Sequence, residues 1–268
     1  MSCFYDTHAH LDYPDFQPDF AAVLTRAHAA GIVKMIAIAT DLESSRRAVA
    51  LAERYPMIYA TVGWHPGNAH EAPADIRPAL RELAHHPKVV AIGECGLDYY
   101  RLPSTQGGSL GDDEQYRRKQ AEIFQQQLEL AVETGLNCVI YQRSSFADLW
   151  AQIQPYRDQT RGVFHCFGES VERLQQILGI GWLVSYTGII TFKNGLNIRA
   201  AAAATPLGKF MLETDCPYLA PVPYRGQRCE PAYVKEIAAT LMEVKGCSAE
   251  ELSAATCLTA QQFFPPIF

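Results

Sequence analysis

One pattern constrains this chain more than any other: short apolar, β-rich runs alternate eight times with longer segments of helical period. The runs are Phe4–His8, Lys34–Thr40, Ile58–His65, Val89–Cys95, Asn137–Gln142, Gly162–Phe167, Trp182–Thr187 and Lys209–Asp215. Between them, segments such as Phe16–Ala30, Leu42–Tyr55, Asp75–His86, Glu114–Thr134 and Glu169–Leu178 place apolar residues at i, i+3 and i+4. Leu196–Ala204 ends in five consecutive alanines, the strongest helix formers. Strand–helix alternation implies parallel strands, because each helix carries the chain back to the starting edge. Eight such units, completed by Asp215, fit a closed α/β barrel better than an open sheet. The predicted fold is a single (β/α)8 TIM-type barrel over residues 1–268. The tail Glu230–Phe268 adds two helices, one opened by Ser248 with Glu250 and Glu251 in its first turn. One connection is long: Arg101–Asp113, with Gly107, Gly108 and Gly111, reads as a mobile loop.

Composition excludes several classes. The chain is 48% hydrophobic, yet no apolar run approaches the ~20 residues that span a bilayer. The opening MSCFYDTHAHL lacks the basic and apolar segments of a signal peptide, so a cytoplasmic protein without membrane contact is expected. The eight cysteines are scattered, no two at CxxC spacing, and read as reduced thiols. A net charge of −6 argues against a broad basic surface for duplex nucleic acid. It leaves room for a local site that meets phosphate through metal ions.

Residues able to carry chemistry gather at the ends of the predicted strands. Strand one ends in Asp6-Thr7-His8-Ala9-His10. Residues i and i+2 of a strand share a face, so His8 and His10 can approach one ion together; the alternative is a hydrogen-bonded pair at a barrel mouth. Strand three ends at His65, strand four at Glu94 and Asp98, strand six at His165, strand eight at Glu213 and Asp215. A buried carboxylate needs a cation or donors to stay ionised. Strand ends of a barrel converge at its carboxyl face, so a shared metal centre is the economical explanation. Alternatives stand open for single residues. His165 could be a packed barrel histidine. His65 could bind substrate or hold its loop. Asp98 could cap the turn after Gly96. Periodicity cannot choose between Glu213 and Asp215. His28, His70, His85 and His86 fall on predicted helices or loops and read as solvent-exposed.

These segments resemble the TatD-related metal-dependent hydrolases, within the amidohydrolase-like barrels. The matching stretches are DTHAHLD (Asp6–Asp12), GWHPG (Gly63–Gly67), GECGLDYY (Gly93–Tyr100), HCFGES (His165–Ser170), LETDCPYLAPVPYRG (Leu212–Gly226) and EPAYV (Glu230–Val234), in order and over nearly the full length. The resemblance implies that His8, His10 and Asp215 hold a first divalent metal (magnesium, manganese or zinc), that Glu94 bridges to a second, and that His165 binds the second. It places His65 near the substrate phosphate. It implies deoxyribonuclease activity, often 3′→5′ on DNA, with single-stranded ends as the expected substrate. Arg143 and His65 are candidates for contacting phosphate, and Asp215 for taking the proton of the attacking water.

The chain departs from the family pattern at strand five. Tyr141 stands where a second-metal histidine is expected and Ser144 where an acid is; Arg143 is retained, and Cys229 replaces a more usual Asn. A phenol, with an ordinary pKa about 10, is a poor ligand for a divalent ion. A firm first site and a weak or empty second site follow. Tyr99, Tyr100 and Tyr186 are candidates for stacking on bases. Two rival functions remain: hydrolysis of another ester or amide, as in an aminoacyl-tRNA deacylase, and metal binding with reduced or no turnover.

Overall fold

The computed structural model describes residues 2–265. Eight strands pair in parallel in chain order: β1 (Phe4–Ala9), β2 (Ile32–Ala37), β3 (Ile58–Val62), β4 (Val89–Asp98), β5 (Asn137–Arg143), β6 (Gly162–Phe164), β7 (Leu183–Tyr186) and β8 (Phe210–Leu212). Nine α-helices lie among the described residues. Seven follow strands: α1 (Phe20–Ala29), α2 (Leu42–Arg54), α3 (Arg77–Ala84), α4 (Leu110–Thr134), α5 (Phe146–Ile153), α6 (Val171–Gly179) and α7 (Leu196–Ala204). The predicted C-terminal pair follows as α8 (Val234–Lys245) and α9 (Ala249–Phe263); residues 266–268 of the predicted tail lie outside the described residues. Ser248 caps α9 reciprocally with Glu251, as its sequence suggests.

Alternation along the strands divides the core in two. One set of side chains packs against the helical shell. The other points into the lumen, where Ile36, Val90, Val139, Val163 and Met211 meet Phe263 and Phe264 from the end of α9. The tail therefore plugs the amino end of the barrel with aromatic rings and leaves the carboxyl end open.

The seam between β8 and β1 closes beyond the strand ends. The Asp215 N–H donates to the His8 carbonyl and the His10 N–H to the Cys216 carbonyl, both at 2.8 Å. Beneath them the Asp6 carboxylate accepts from the Thr214 N–H at 2.9 Å and the Thr214 hydroxyl at 2.6 Å. Burial pushes the Asp6 carboxyl up to about 7, against the pull of these bonds.

Three expectations are corrected. The predicted mobile stretch Arg101–Asp113 contains a 3₁₀ turn (Pro103–Gln106), and α4 already begins at Leu110. Ser109 and Asp112 form a reciprocal cap there, and the Asp113 carboxylate accepts from the Ser104 N–H and hydroxyl. A first turn bearing Gly111 hides the helix start from propensity. Helix α1 begins at Phe20 rather than Phe16, because Pro18 supplies no N–H for a helix continuing from the turn Pro14–Phe16. Strands β2, β3, β6 and β8 stop three residues short of their predicted ends, so His65, His165 and Asp215 lie beyond the strands.

All eight cysteines are free thiols. No helix among the described residues is long and apolar enough to cross a membrane.

Candidate metal centre

The sequence places four donors on three elements, and the fold aims them at one point. The Nε2 of His8 lies 3.5 Å from Glu94 Oε2 and 3.6 Å from Asp215 Oδ1. The Nε2 of His10 lies 3.7 and 3.3 Å from the same two atoms. Donors each about 2.1 Å from a common ion stand roughly 3.0–3.4 Å apart at octahedral and tetrahedral angles. These four spacings exceed that range by a few tenths of an ångström at most; His8, His10 and Glu94 form the compact buried group, with Asp215 within 3.6 Å of both histidines.

Two further features fit a cation. His10 directs Nδ1 at the Ile38 carbonyl, 3.3 Å away, which leaves Nε2 as the free donor; metal-binding histidines are commonly oriented this way. His8 is wholly buried, and neither of its ring nitrogens has a hydrogen-bond partner. A buried polar atom left unpaired costs about 1–3 kcal/mol, so an imidazole is a poor filler here unless something binds it. Burial alone would raise Glu94, but the imidazoles of His165 and His8 hold its carboxyl well below the usual range. Asp215 is likewise lowered despite burial, by its contact with His10. The upward shift of His10 is the same attraction seen from the imidazole.

The second set of ligands is arranged differently. Glu94 turns its other oxygen, Oε1, to His165 Nε2 at 2.7 Å. His165 Nδ1 lies 3.5 Å from Glu213 Oε1, which accepts from the Cys166 N–H at 2.7 Å, and His8, His165 and Glu213 form a compact buried triad. The two acids of strand eight face different partners: Asp215 faces His8 and His10, and Glu213 faces His165. Strand alternation could not decide it, because the ladder ends at Leu212 and Asp215 has a left-handed backbone, φ 59°.

Tyr141 does not turn to this group. Its hydroxyl donates to Asp98 Oδ2 at 3.0 Å, and the other Asp98 oxygen accepts from the Tyr100 and Arg101 N–H groups. Asp98 is thus the cap of its own turn. Burial, reinforced by Asp98 and Glu94, raises the phenol far above its ordinary value and keeps it a neutral donor. Gly96 fixes the register: a Cβ there would stand 1.9 Å from the Tyr141 carbonyl oxygen, so only glycine lets β4 and β5 approach so closely.

His65 stands between its own loop and the cavity. Its Nδ1 accepts from the Gly67 N–H at 2.9 Å and holds the loop. Burial lowers its pKa, so the ring is neutral with its proton on Nε2. The ring also lines a cavity of about 700 Å³ above the four donors, shared with Arg143, Arg101 and Tyr218. Arg143 lies 3.9 Å over the Tyr100 ring.

Sequence reasoning missed some wall residues. Tyr186 is removed from the stacking candidates: it is wholly buried, and its hydroxyl bonds Thr205. Tyr13, stacked on His10 with centroids 4.8 Å apart, and the half-exposed Tyr218 line the cavity instead. The left-handed turn at Asp215 brings Tyr218 to the rim, and no periodicity reports such a turn. His28, His70 and His85 are exposed and His86 is partly so.

The model for TatD-related DNases matches residues 5–265. The chain belongs to this family. It is 33% identical to the uncharacterized metal-dependent hydrolase YabD of Bacillus subtilis, over 97% of this chain and 98% of that one. It is 35% identical to the 3′-5′ ssDNA/RNA exonuclease TatD of Enterobacter lignolyticus, over 94% and 95%. The crystal structure of YjjV, a TatD homologue from Escherichia coli, superposes with a TM-score of 0.88 at 31% identity, covering 97% of each chain. A TatD-family barrel is therefore the frame in which the donors converge.

Proposed function

We propose that this TatD-family hydrolase uses one firmly held divalent ion to cleave phosphodiester bonds, working on single-stranded DNA from its 3′ end. The observation that carries the reading is the convergence of His8, His10, Glu94 and Asp215 beneath a cavity whose wall carries the guanidinium groups of Arg101 and Arg143. A cation in that cluster, surrounded by free positive charge, suits an anionic phosphate. The nuclease name carried by the Enterobacter relative points the same way.

A bound divalent ion would polarise a phosphoryl oxygen and acidify an attacking water. The protein's own groups do the rest. Asp215, kept ionised by the imidazoles around it, accepts the proton of that water through the oxygen turned from His8 and His10. Glu94 orients the cluster by joining it to His165. The neutral His65 donates from Nε2 to a phosphate oxygen, and Arg143 pairs with the phosphate charge.

The engagement of Tyr141 with Asp98 supports one ion rather than two. The neutral phenol has its proton committed, and Glu94 Oε1 is taken by His165. Metal analysis of the purified protein should give one ion per chain, rising in Tyr141→His; two ions in the unmodified protein would refute the single-ion reading. A labelled single-stranded oligonucleotide in Mg²⁺, Mn²⁺ or Zn²⁺ should shorten stepwise from its 3′ end. No shortening, with hydrolysis of a carboxylic ester or amide panel, would favour the deacylase-like alternative. Silence on every substrate with metal bound would favour a binding protein.

A further inference from the structure

Arg101 and Tyr218 stand on the cavity wall with no contact yet assigned to either. Arginines elsewhere are largely committed. Arg26, Arg77, Arg81 and Arg228 pair with carboxylates, and Arg199 bonds backbone carbonyls. The Arg101 guanidinium, by contrast, makes no ion pair and no hydrogen bond among the described residues, although its backbone N–H is anchored on Asp98. The wall offers it no acid besides Glu94 and Asp215, which the histidines engage. A free cation on an anchored base is prepared for an anion from outside.

Tyr218 shows the complementary property. It is 53% exposed, yet its ring is braced edge-on by His10 and Tyr13, each with centroids 6.2 Å away. Its backbone is fixed too, since its N–H donates to the Asp215 carbonyl at 3.0 Å. A braced aromatic ring at the rim and a free guanidinium on the same wall are what a nucleotide needs: a surface for its base and a charge for its phosphate.

We propose that Arg101 and Tyr218 form a subsite for the nucleotide next to the scissile phosphate. Arg101 takes the neighbouring phosphodiester and Tyr218 stacks the base, without sequence preference. This rests on the nucleic-acid reading and narrows it: the substrate is an oligonucleotide with at least two phosphodiesters, bound as a single strand because inside a duplex both faces of a base are covered by its stacked neighbours.

The test is binding of a 5′-labelled hexathymidylate to the metal-loaded protein, followed by fluorescence anisotropy across a salt series. Arg101→Ala should bind about tenfold more weakly and show a salt slope shallower by about 0.7, one phosphate contact on a single strand. Arg101→Lys should recover the slope. Tyr218→Ala should also bind about tenfold more weakly but keep the full slope, because stacking releases no counterions. The metal-induced rise in melting temperature, retained in every variant, confirms an intact centre. Wild-type affinity in either alanine variant, or an unchanged slope in Arg101→Ala, overturns the subsite. Hexathymidylate binding by the wild type without cleavage would sink the nuclease reading and leave Arg101 and Tyr218 standing as a nucleotide-binding subsite. No binding by the wild type sinks both.

Discussion

His8 offers a test whose outcome depends on whether a cation is present. Both ring nitrogens are buried and unpaired, so in metal-free protein the imidazole carries an unsatisfied cost of about 1–3 kcal/mol per atom. His8→Leu removes that cost, while losing the stack on His165, 4.0 Å away, and the attraction to Glu94 and Asp215. A swap of similar volume costs under about 1.5 kcal/mol in packing, against a relieved cost of about 2–6 kcal/mol for the two nitrogens together. Without metal, the variant should be no more than about 1 kcal/mol less stable than wild type. With manganese at a hundred times its dissociation constant, the wild type gains about 2.7 kcal/mol, a rise of roughly 5–10 °C in melting temperature for a chain of this size. If loss of one of four donors weakens binding a hundredfold, the variant gains only about 0.4 kcal/mol at the same concentration. Thermal melts of both proteins, chelated and manganese-loaded, read the difference directly. An equal manganese shift in the two proteins would show that His8 holds no ion. A variant several kcal/mol weaker in chelator would show that its nitrogens are satisfied after all.

Other perturbations separate chemistry from architecture. Asp215→Asn should lower turnover of any phosphodiester the wild type cleaves by about 10²–10⁴ with little change in the melting temperature of the metal-free protein, since Asn tolerates the left-handed backbone at this position; unchanged turnover would remove Asp215 from proton transfer. Gly96→Ala forces a Cβ against the Tyr141 carbonyl at a φ of +145°. It should cost more than roughly 3 kcal/mol in urea denaturation, and a loss under about 1 kcal/mol would mean the strands can separate without penalty. Glu230 is raised by burial, but hydrogen bonds from Arg26 and Arg228 outweigh that and hold it below its ordinary 4.5. The folded state thus binds its proton more weakly, so its contribution is complete above 4.5 and is lost as pH falls through the depressed value. Glu230→Gln should be less stable than wild type by about 1–2 kcal/mol at neutral pH, with the gap closing below 4.5; a gap independent of pH would exclude the ion pairs as its source.

The parts legible in the sequence are those governed by repetition. Apolar runs recur because every barrel strand is buried on both faces, and that placed all eight strands. The HxH pair was legible because His8 and His10 stand two residues apart at the end of β1, and they keep a common side although the β1–β2 register shifts between Asp6 and Ala9. Legibility failed where regular geometry stops. The ladder ends at Leu212 and at Phe164, and the next residues adopt left-handed backbones at Asp215 and Cys166. No period describes such a turn, so the division of labour between Glu213 and Asp215 and the arrival of Tyr218 at the rim needed coordinates. The same holds for Arg101, whose place depends on Asp98 bonding three donors from two elements.

Fold and site share a boundary at the barrel seam. The chain meets itself there through the backbone of His8, His10, Asp215 and Cys216, while the side chains of the first three form the donor cluster. A left-handed backbone at a non-glycine residue costs about 1–3 kcal/mol, and Ser144, Cys166, Asp215 and Leu219 adopt one, each following a strand at the open end. At Asp215 this strain coincides with the two functions, because the turn that aims its carboxylate also lets its N–H reach the His8 carbonyl. An ion joining His8 to Asp215 would therefore tie the first strand to the segment after the last. Cation binding and barrel closure draw on the same contacts, which is why the metal should register in the melting temperature and not only in turnover.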